Sequence, residues 1–451
     1  MSEERFDVII AGLGPAGTVA LYHLARLGFK VVGFDQRSFN DLWGKPCGDA
    51  IGAHHFDAAK VPLPSSVIRN NVKGIDIFSP GEKVRYRVLG EGYIIDRRRL
   101  GQELVKYAID KGATVLFSAK VLAPIIENGR VVGVEVLVGD SRKRYYSKVV
   151  IEATGFPRAL KSKLPRNWHV AEPIRPEDTN IAYRKIIEYV DYEVEEPEII
   201  RIYLDQSVAP GGYWWFFPES SRRVNTGLGV QGGKGYGNPM SIFEKKLTRH
   251  RLFKMEYKVL EAAGAPVPTR RPANTLVGPG ILVLGDAGYT VNPLHGGGMG
   301  YAFYSGFAAA QAFEEAYNRG DFSEKGLWRL NTLYMKGIGA KQAALDVFRR
   351  FLQRLDNSEI AYGMEKRLIP EVDVYEVSST GELKVSVIEK ALIMLRGLRR
   401  PSLLFKLKLV ADYMSKARAL YKSYPESPEG LTTWIRKVDN LFREFEARLV
   451  G

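Results

Sequence analysis

The chain has 451 residues, enough for two or three domains of ordinary size. Hydrophobic residues make up 45%, charged residues 26% and aromatic residues 11%, a globular composition that excludes a disordered or fibrous chain. Lys and Arg number 65 against 51 Asp and Glu, and the resulting net charge of +14 suits acidic partners or, equally well, a solvated basic surface. No nucleic-acid-binding module accompanies the charge, so nucleic acid is not an expected partner. The one cysteine, Cys47, has no internal disulfide partner, and no charged-then-apolar leader precedes the first strand, as expected of a cytoplasmic protein. No apolar run approaches the roughly 18 residues of a membrane span, and no metal-ligand cluster is read.

In chain order, the start reads as a βαβ unit: strand Phe6 to Ala11, a glycine turn, a helix from about Pro15 to Leu27, then strand Lys30 to Asp35. Leu100, Leu104 and Ala108 space a helix over Asp96 to Gly112. Short strands follow at Thr114 to Phe117, Val131 to Val138 and Val149 to Ala153. From Ile181 to Val230 alternating, aromatic-rich strands predict a separate antiparallel sheet. The run Ile281 to Leu284, ending in Gly285-Asp286-Ala287-Gly288, reads as a return to the first, parallel sheet, and from about Gly326 helical spacing dominates.

Gly12-Leu13-Gly14-Pro15-Ala16-Gly17 is a G-x-G-x-x-G between a strand and a helix, the context that makes it a dinucleotide fingerprint. Gly12 allows the tight turn, Gly14 the approach of a pyrophosphate to backbone, and Gly17 close packing of helix on strand, with Ala16 in the helix's first turn. Asp35, 18 positions after Gly17, places a carboxylate for ribose hydroxyls. A second G-x-G-x-x-G, Gly227 to Gly232, leads into Lys234-Gly235-Tyr236-Gly237-Asn238-Pro239 and no helix, so its small residues suit close packing of a strand.

Asp96-Arg97-Arg98-Arg99-Leu100, the strand end Glu152-Ala153-Thr154-Gly155 and Gly285-Asp286-Ala287-Gly288 together resemble the flavoproteins that include aromatic hydroxylases and geranylgeranyl reductases. Two further stretches favour the reductases. Pro210-Gly211-Gly212-Tyr213-Trp214-Trp215-Phe216-Phe217-Pro218 is similar to the P-x-x-Y-x-W-x-F-P pattern of the geranylgeranyl reductase family, and Lys45-Pro46-Cys47-Gly48 to its K-P-C-G segment. The likeness runs from Phe6 to the helical end. Glu152-Ala153-Thr154-Gly155 departs from the Asp-Gly motif of NADPH-using hydroxylases. An aromatic-ring hydroxylase and a non-catalytic prenyl-lipid-binding flavoprotein stand as the alternatives.

The resemblance implies an α/β chain, α+β overall. A Rossmann-like FAD-binding domain of the aromatic hydroxylase type would occupy 1–75, 91–175 and 271–325, an inserted antiparallel-sheet substrate domain 76–90 and 176–270, and a helical C-terminal domain 326–451. It implies extended FAD, with Arg97 on the pyrophosphate and Asp286 on the ribityl chain, roles that suit a guanidinium and a carboxylate. Cys47 and Gly48 would turn toward the flavin, and the loop ending Gly297-Gly298-Met299 would cradle the isoalloxazine with helix-start N–H groups. The implied reaction saturates isolated double bonds of geranylgeranyl chains in archaeal-type ether phospholipid precursors or geranylgeranyl diphosphate, by hydride plus proton addition.

An alkene without a carbonyl demands a positioned acid in a dry site, for which Cys47, Tyr213 and His295 are the candidates. Tyr213, Trp215 and Phe217 alternate onto one strand face, an aromatic wall suited to an apolar chain. The electron donor is open among nicotinamide, deazaflavin and ferredoxin. Arg396, Arg399, Arg400, Lys406, Lys408, Lys416, Arg418 and Lys422 surround Leu403, Leu404, Phe405, Leu407 and Leu409, from which peripheral binding to an anionic membrane, on the inner face of the cell membrane, is expected; a helix packed on the flavin domain with a solvated basic face accounts for the same pattern.

Overall fold

The structure, a computed structural model, describes residues 5–371, 374, 376, 377, 381, 382 and 400–450. Two eight-stranded sheets organise it. In the first, Arg5–Ala11 lies between Val31–Phe34 and Ser141–Glu152, with Thr114–Leu116 and Ile281–Val283 outside them, all parallel. Val8 and Ile10 enter a core with the helices Pro15–Arg26, Arg97–Asp110 and Met299–Arg319, whereas Ile9 and Ala11 enter a second core under the antiparallel strands Ala119–Glu127 and Arg130–Val138. A strand covered on both faces must be apolar at successive positions, and this accounts for the unbroken run Val8 to Ala11. Helices Pro15–Arg26 and Met299–Arg319 touch at Gly306, where a Cβ would collide with the Ala16 carbonyl oxygen and lie 2.9 Å from the Ala20 nitrogen.

The second sheet is largely antiparallel and runs Tyr257–Val267, Asn180–Tyr189, Arg223–Gln231, Tyr213–Pro218, Ile199–Tyr203, Ile68–Phe78, Arg85–Ile95, Ala50–Gly52. It takes more of the N-terminal segment than the expected 76–90: both strands of the hairpin belong to it whole, and Ala50–Gly52 completes its edge. The polar residues of that hairpin hide its alternation. Asp76 is buried because Arg87 grips both its oxygens at 2.8 Å, and Asn70 points inward to the carbonyls of Pro197 and Pro218 at 2.7 and 2.9 Å. The second G-x-G-x-x-G lies in this sheet, in strand Arg223–Gln231, where a Cβ at Gly227 would come within 2.5 Å of Trp215 Cζ2.

The C-terminal helices Ala340–Leu352, Asn357–Glu365, Pro401–Lys422 and Leu431–Val450 share the core of the first sheet, which takes in residues from Val8 to Leu449, so these helices are packed as part of that body. A buried ionic knot ties them to the second sheet. Asp346 accepts from Arg349 at 2.6 Å and Arg350 at 3.2 Å, Arg349 and Arg350 reach Asp178 at 2.9 and 3.3 Å, and Arg350 reaches Glu446 at 2.7 Å. The arginines hold the Asp346 carboxyl well below its usual range, against the opposing effect of burial. Among the described residues no helix is long and apolar enough to cross a membrane.

Gly306→Val forces a branched side chain into the backbone of the neighbouring helix. It should destabilise the fold by about 3 kcal/mol, read as a lowered urea midpoint with unchanged slope.

Candidate active site

The strand Arg5–Ala11 delivers the chain into Gly12 at φ +91°, where a Cβ would lie 2.5 Å from the Ala153 carbonyl oxygen; only glycine serves there. Gly14 differs, since a Cβ on it would meet no protein atom within 4 Å and no side chain caps the helix that begins at Pro15. Asp35 closes the neighbouring strand and accepts from the backbone N–H groups of Leu13 and Arg37, both at 2.8 Å, while burial raises its pKa. Trp43, which no sequence signal singled out, braces the turn: its Nε1 donates to the Leu13 carbonyl at 2.8 Å and its ring presses on Gly101. Open space at Gly14, an uncapped helix start and a carboxylate at the strand end fit a dinucleotide pyrophosphate and ribose.

The loop Lys45 to Asp49 crosses from this fingerprint to the second sheet. Lys45 Nζ meets Asp286 at 2.6 Å, so the carboxylate expected to bind a ribityl chain also anchors the loop. Arg97 is buried, its Nε on Asp49 Oδ1 at 2.5 Å and its Nη2 on the Lys45 carbonyl. Burial opposes its charge, but Cys47 and Asp49 outweigh that and raise its pKa. The sequence reading missed Asn225, a fully buried amide in strand Arg223–Gln231. It donates to the Cys47 carbonyl at 2.8 Å and to Asp49 Oδ2 at 2.9 Å, and accepts from Trp215 Nε1 at 3.1 Å. Its one sequence signal was a polar residue within a strand of otherwise apolar and small residues.

Tyr213, Trp215 and Phe217 lie in a row on one face of their strand, successive ring centroids 6.2 Å apart, and Trp214 and Phe216 pack into the core on the other. Gly48 rests on this face, where a Cβ would be 3.0 Å from Phe217. At the far end of the row the Tyr213 hydroxyl donates to the His295 carbonyl at 2.5 Å, joining the row to the loop ahead of Gly297, Gly298 and Met299. That loop is shaped by Asn292, whose Oδ1 accepts from Leu294 N and His295 N at 2.9 and 3.3 Å. Burial raises the Tyr213 pKa, with Cys47 adding to it, and burial with nearby Lys341 lowers His295 to about 4. Tyr213 and His295, distant in sequence, therefore meet at one end of the aromatic row, and Cys47 lies near enough to act on the Tyr213 hydroxyl.

Among solved structures the fold is similar to a flavin-dependent brominase (TM-score 0.64, 16% identity, 84% of this chain and 94% of that one) and to a myxobacterial FAD-dependent halogenase (TM-score 0.62, 14% identity, 89% and 99%). It is also similar to a geranylgeranyl bacteriochlorophyll reductase-like protein of Thermoplasma acidophilum (TM-score 0.76, 24% identity, 90% and 99%). The chain has the fold that these flavin-dependent enzymes share. Residues 178–267, the heart of the second sheet, match the geranylgeranyl reductase catalytic domain. The chain is 43% identical over 452 aligned positions, all of both chains, to a digeranylgeranylglycerophospholipid reductase of Sulfolobus acidocaldarius, and 28% identical to one of Methanopyrus kandleri, covering 89% of this chain and 98% of that one. It belongs to the geranylgeranyl reductase family.

Asn225→Leu removes the amide that holds the loop and leaves Asp49 and the Trp215 N–H short of a partner, a loss of about 1–3 kcal/mol. Because Cys47 is the sole thiol, its labelling by a thiol reagent should be at least several-fold faster in the variant than in the wild type.

Proposed function

We propose that this chain is an FAD-dependent reductase that saturates isolated double bonds of geranylgeranyl chains in ether phospholipid precursors. The observation that carries the reading is the loop Lys45 to Asp49, which is tied by Lys45 to Asp286 and rests through Gly48 on the Tyr213, Trp215, Phe217 face. A dinucleotide at the fingerprint and a chain on the aromatic face would both adjoin this loop. Each methylene buried there contributes about 0.8 kcal/mol, so a polyprenyl chain needs few polar contacts.

Gly12, Gly14, Ala16, Gly17 and Asp35 would hold the adenosine and pyrophosphate end of FAD, Arg97 and Asp286 its middle, and Cys47, Gly48, Gly297, Gly298 and Met299 its ring. When bound, the flavin supplies the hydride. The protein supplies the proton and excludes water. Of the three candidate acids, Tyr213 is engaged on the His295 carbonyl and made less acidic by burial, and His295 is a neutral imidazole at pH 7. Cys47 is accordingly assigned as the donor, its Sγ–H proton passing to the more electron-rich alkene carbon, with Tyr213 fixing the geometry.

The basic C-terminal stretch is read differently from its sequence. Leu403, Leu404 and Leu407 are buried in the core, Lys416 pairs with Asp412 at 2.7 Å and Arg418 with Glu382, so the pattern is mainly that of a packed helix. Phe405, 69% exposed, and Lys408 remain outward, while Arg400 turns to Ser358 and the Tyr362 ring; Arg396 and Arg399 lie outside the described residues. We propose that this smaller patch meets an anionic membrane surface.

Two measurements test these readings. Anaerobic mixing of photoreduced holoenzyme with a geranylgeranyl phospholipid should reoxidise the flavin and add about two mass units per reduced bond, and Cys47→Ser should slow that step by at least about a hundredfold. Unreacted flavin and lipid with the wild type would refute the reaction. The holoenzyme should sediment with anionic vesicles in a salt-sensitive way, less so as Phe405→Asp; equal recovery with neutral vesicles refutes the membrane patch.

A further inference from the structure

The aromatic row ends beside a group of cationic and imidazole side chains that no carboxylate balances. Tyr213 closes the row on the His295 carbonyl, and the same loop runs on through Gly297 and Gly298 into helix Met299–Arg319. His55 lies over the first turn of that helix: a Cβ on Gly300 would collide with its imidazole, and its ring meets that of Tyr301 edge-on, with 5.2 Å between centroids. Lys341, from helix Ala340–Leu352, comes to the same Tyr301 ring, its Nζ 5.7 Å from the centroid. His54 packs on His55 at 4.1 Å and is exposed. Distant segments of the chain thus bring Lys341, His55 and His54 to one place, half-buried on the inside and open to solvent at His54.

The charge at this place is of one sign. The groups acting on His54 and His55 are Lys341, His295 and one another, and among the described residues no carboxylate pairs with Lys341 or with either ring. Elsewhere a histidine near the surface has its counter-charge, as His250 has Glu82 at 2.5 Å. Burial first, then the neighbouring cations, lowers His55 to about 3, so its ring is neutral at pH 7 and offers an N–H donor. A metal ion does not suit the site, since Lys341 would repel it, and among the described residues no three or more His, Cys, Asp or Glu are placed to hold one. An uncompensated ammonium beside imidazole N–H groups favours an anion from outside. A phosphate fits, because its several acceptor oxygens can take a charged donor and neutral ones together.

We propose that Lys341, His54 and His55 bind the phosphate of the substrate's headgroup while the prenyl chain lies on the Tyr213, Trp215, Phe217 row. The inference rests on the substrate class proposed above. Position favours a lipid headgroup over a free phosphate: the charge begins where the apolar face ends, so a molecule with a charged end and an apolar chain meets both. The exposed His54 leaves the rest of a headgroup in solvent. The site adds no step to the reaction. It sets which end of the lipid stays outside and separates phosphate-bearing prenyl lipids from neutral ones.

Equilibrium binding to the oxidised holoenzyme, read from the flavin absorbance, tests this without turnover. The wild type should bind a geranylgeranyl ether phospholipid at least about tenfold tighter than the same lipid without its phosphate. The preference should fall to within about twofold in Lys341→Met and return in Lys341→Arg. His54→Gln changes an exposed ring and should cut the preference at least about threefold, so it decides the matter if Lys341→Met fails to fold. Equal affinities in the wild type, or a preference that survives these variants, overturns the proposal; survival with a shifted flavin potential would give the cations to the reduced flavin instead. Inorganic phosphate should compete with the phospholipid and not with the neutral lipid, and phosphate that binds as tightly as the phospholipid would assign the site to a free anion and overturn the headgroup. If the wild type shows the preference but leaves the lipid unreduced, the reaction is wrong and the site stands. If it reduces both lipids and binds them equally, the site is wrong and the reaction stands.

Discussion

The five residues from Lys45 to Asp49 must satisfy two sheets at once. Lys45 is tied to Asp286 at the end of a parallel strand, and Asp49 is held by Arg97 from a helix and Asn225 from the antiparallel sheet. Asp49 and Arg97 are both largely buried, so neither tolerates loss of the other: an unpaired charge there would cost several kcal/mol. The loop therefore has one position, and with it the distance between the glycine turn at Gly12 and the aromatic row is set.

The helices make that position durable. The C-terminal segment packs into the same core as the nucleotide fingerprint, and the Asp346 knot clamps it to Asp178 at the entrance to the second sheet. A buried ion network of this kind adds little net stability over an apolar packing of the same volume. What it adds is register, because five charged groups can satisfy one another in few arrangements. At the end of the aromatic row the half-buried Tyr213 and His295 keep their neutral forms, a condition for controlled proton movement beside an apolar substrate.

Much of this was legible from local pattern. Gly12, Gly14 and Gly17 sit where the strand, turn and helix around them required, and the aromatic alternation at Tyr213, Trp215 and Phe217 gave their common face. The hairpin over 68–95 was not, because Asp76 is a buried carboxylate, and Arg87 and Asn70 find partners at Glu196 and at Pro197 and Pro218, far along the chain. Leu403, Leu404 and Leu407 left both a membrane surface and a packed helix open, since a stripe of leucines beside lysines looks the same whether lipid or protein covers it. Trp43 and Asn225 gave almost no signal, since Trp43 bonds to Leu13, 30 positions away, and the Asn225 amide donates to Cys47 and Asp49, more than 170 positions away.

By itself the sequence determined the dinucleotide fingerprint, the doubly wound start and the family of the catalytic sheet, since these depend on residues close together whose spacing reflects backbone geometry. Only the tertiary structure decided which sheet owns the hairpin, that the described C-terminal helices share the first core, and that Tyr213 and His295 meet at the end of the aromatic row. Those outcomes depend on contacts between residues hundreds of positions apart, and periodicity along a chain carries no information about which distant face will cover it.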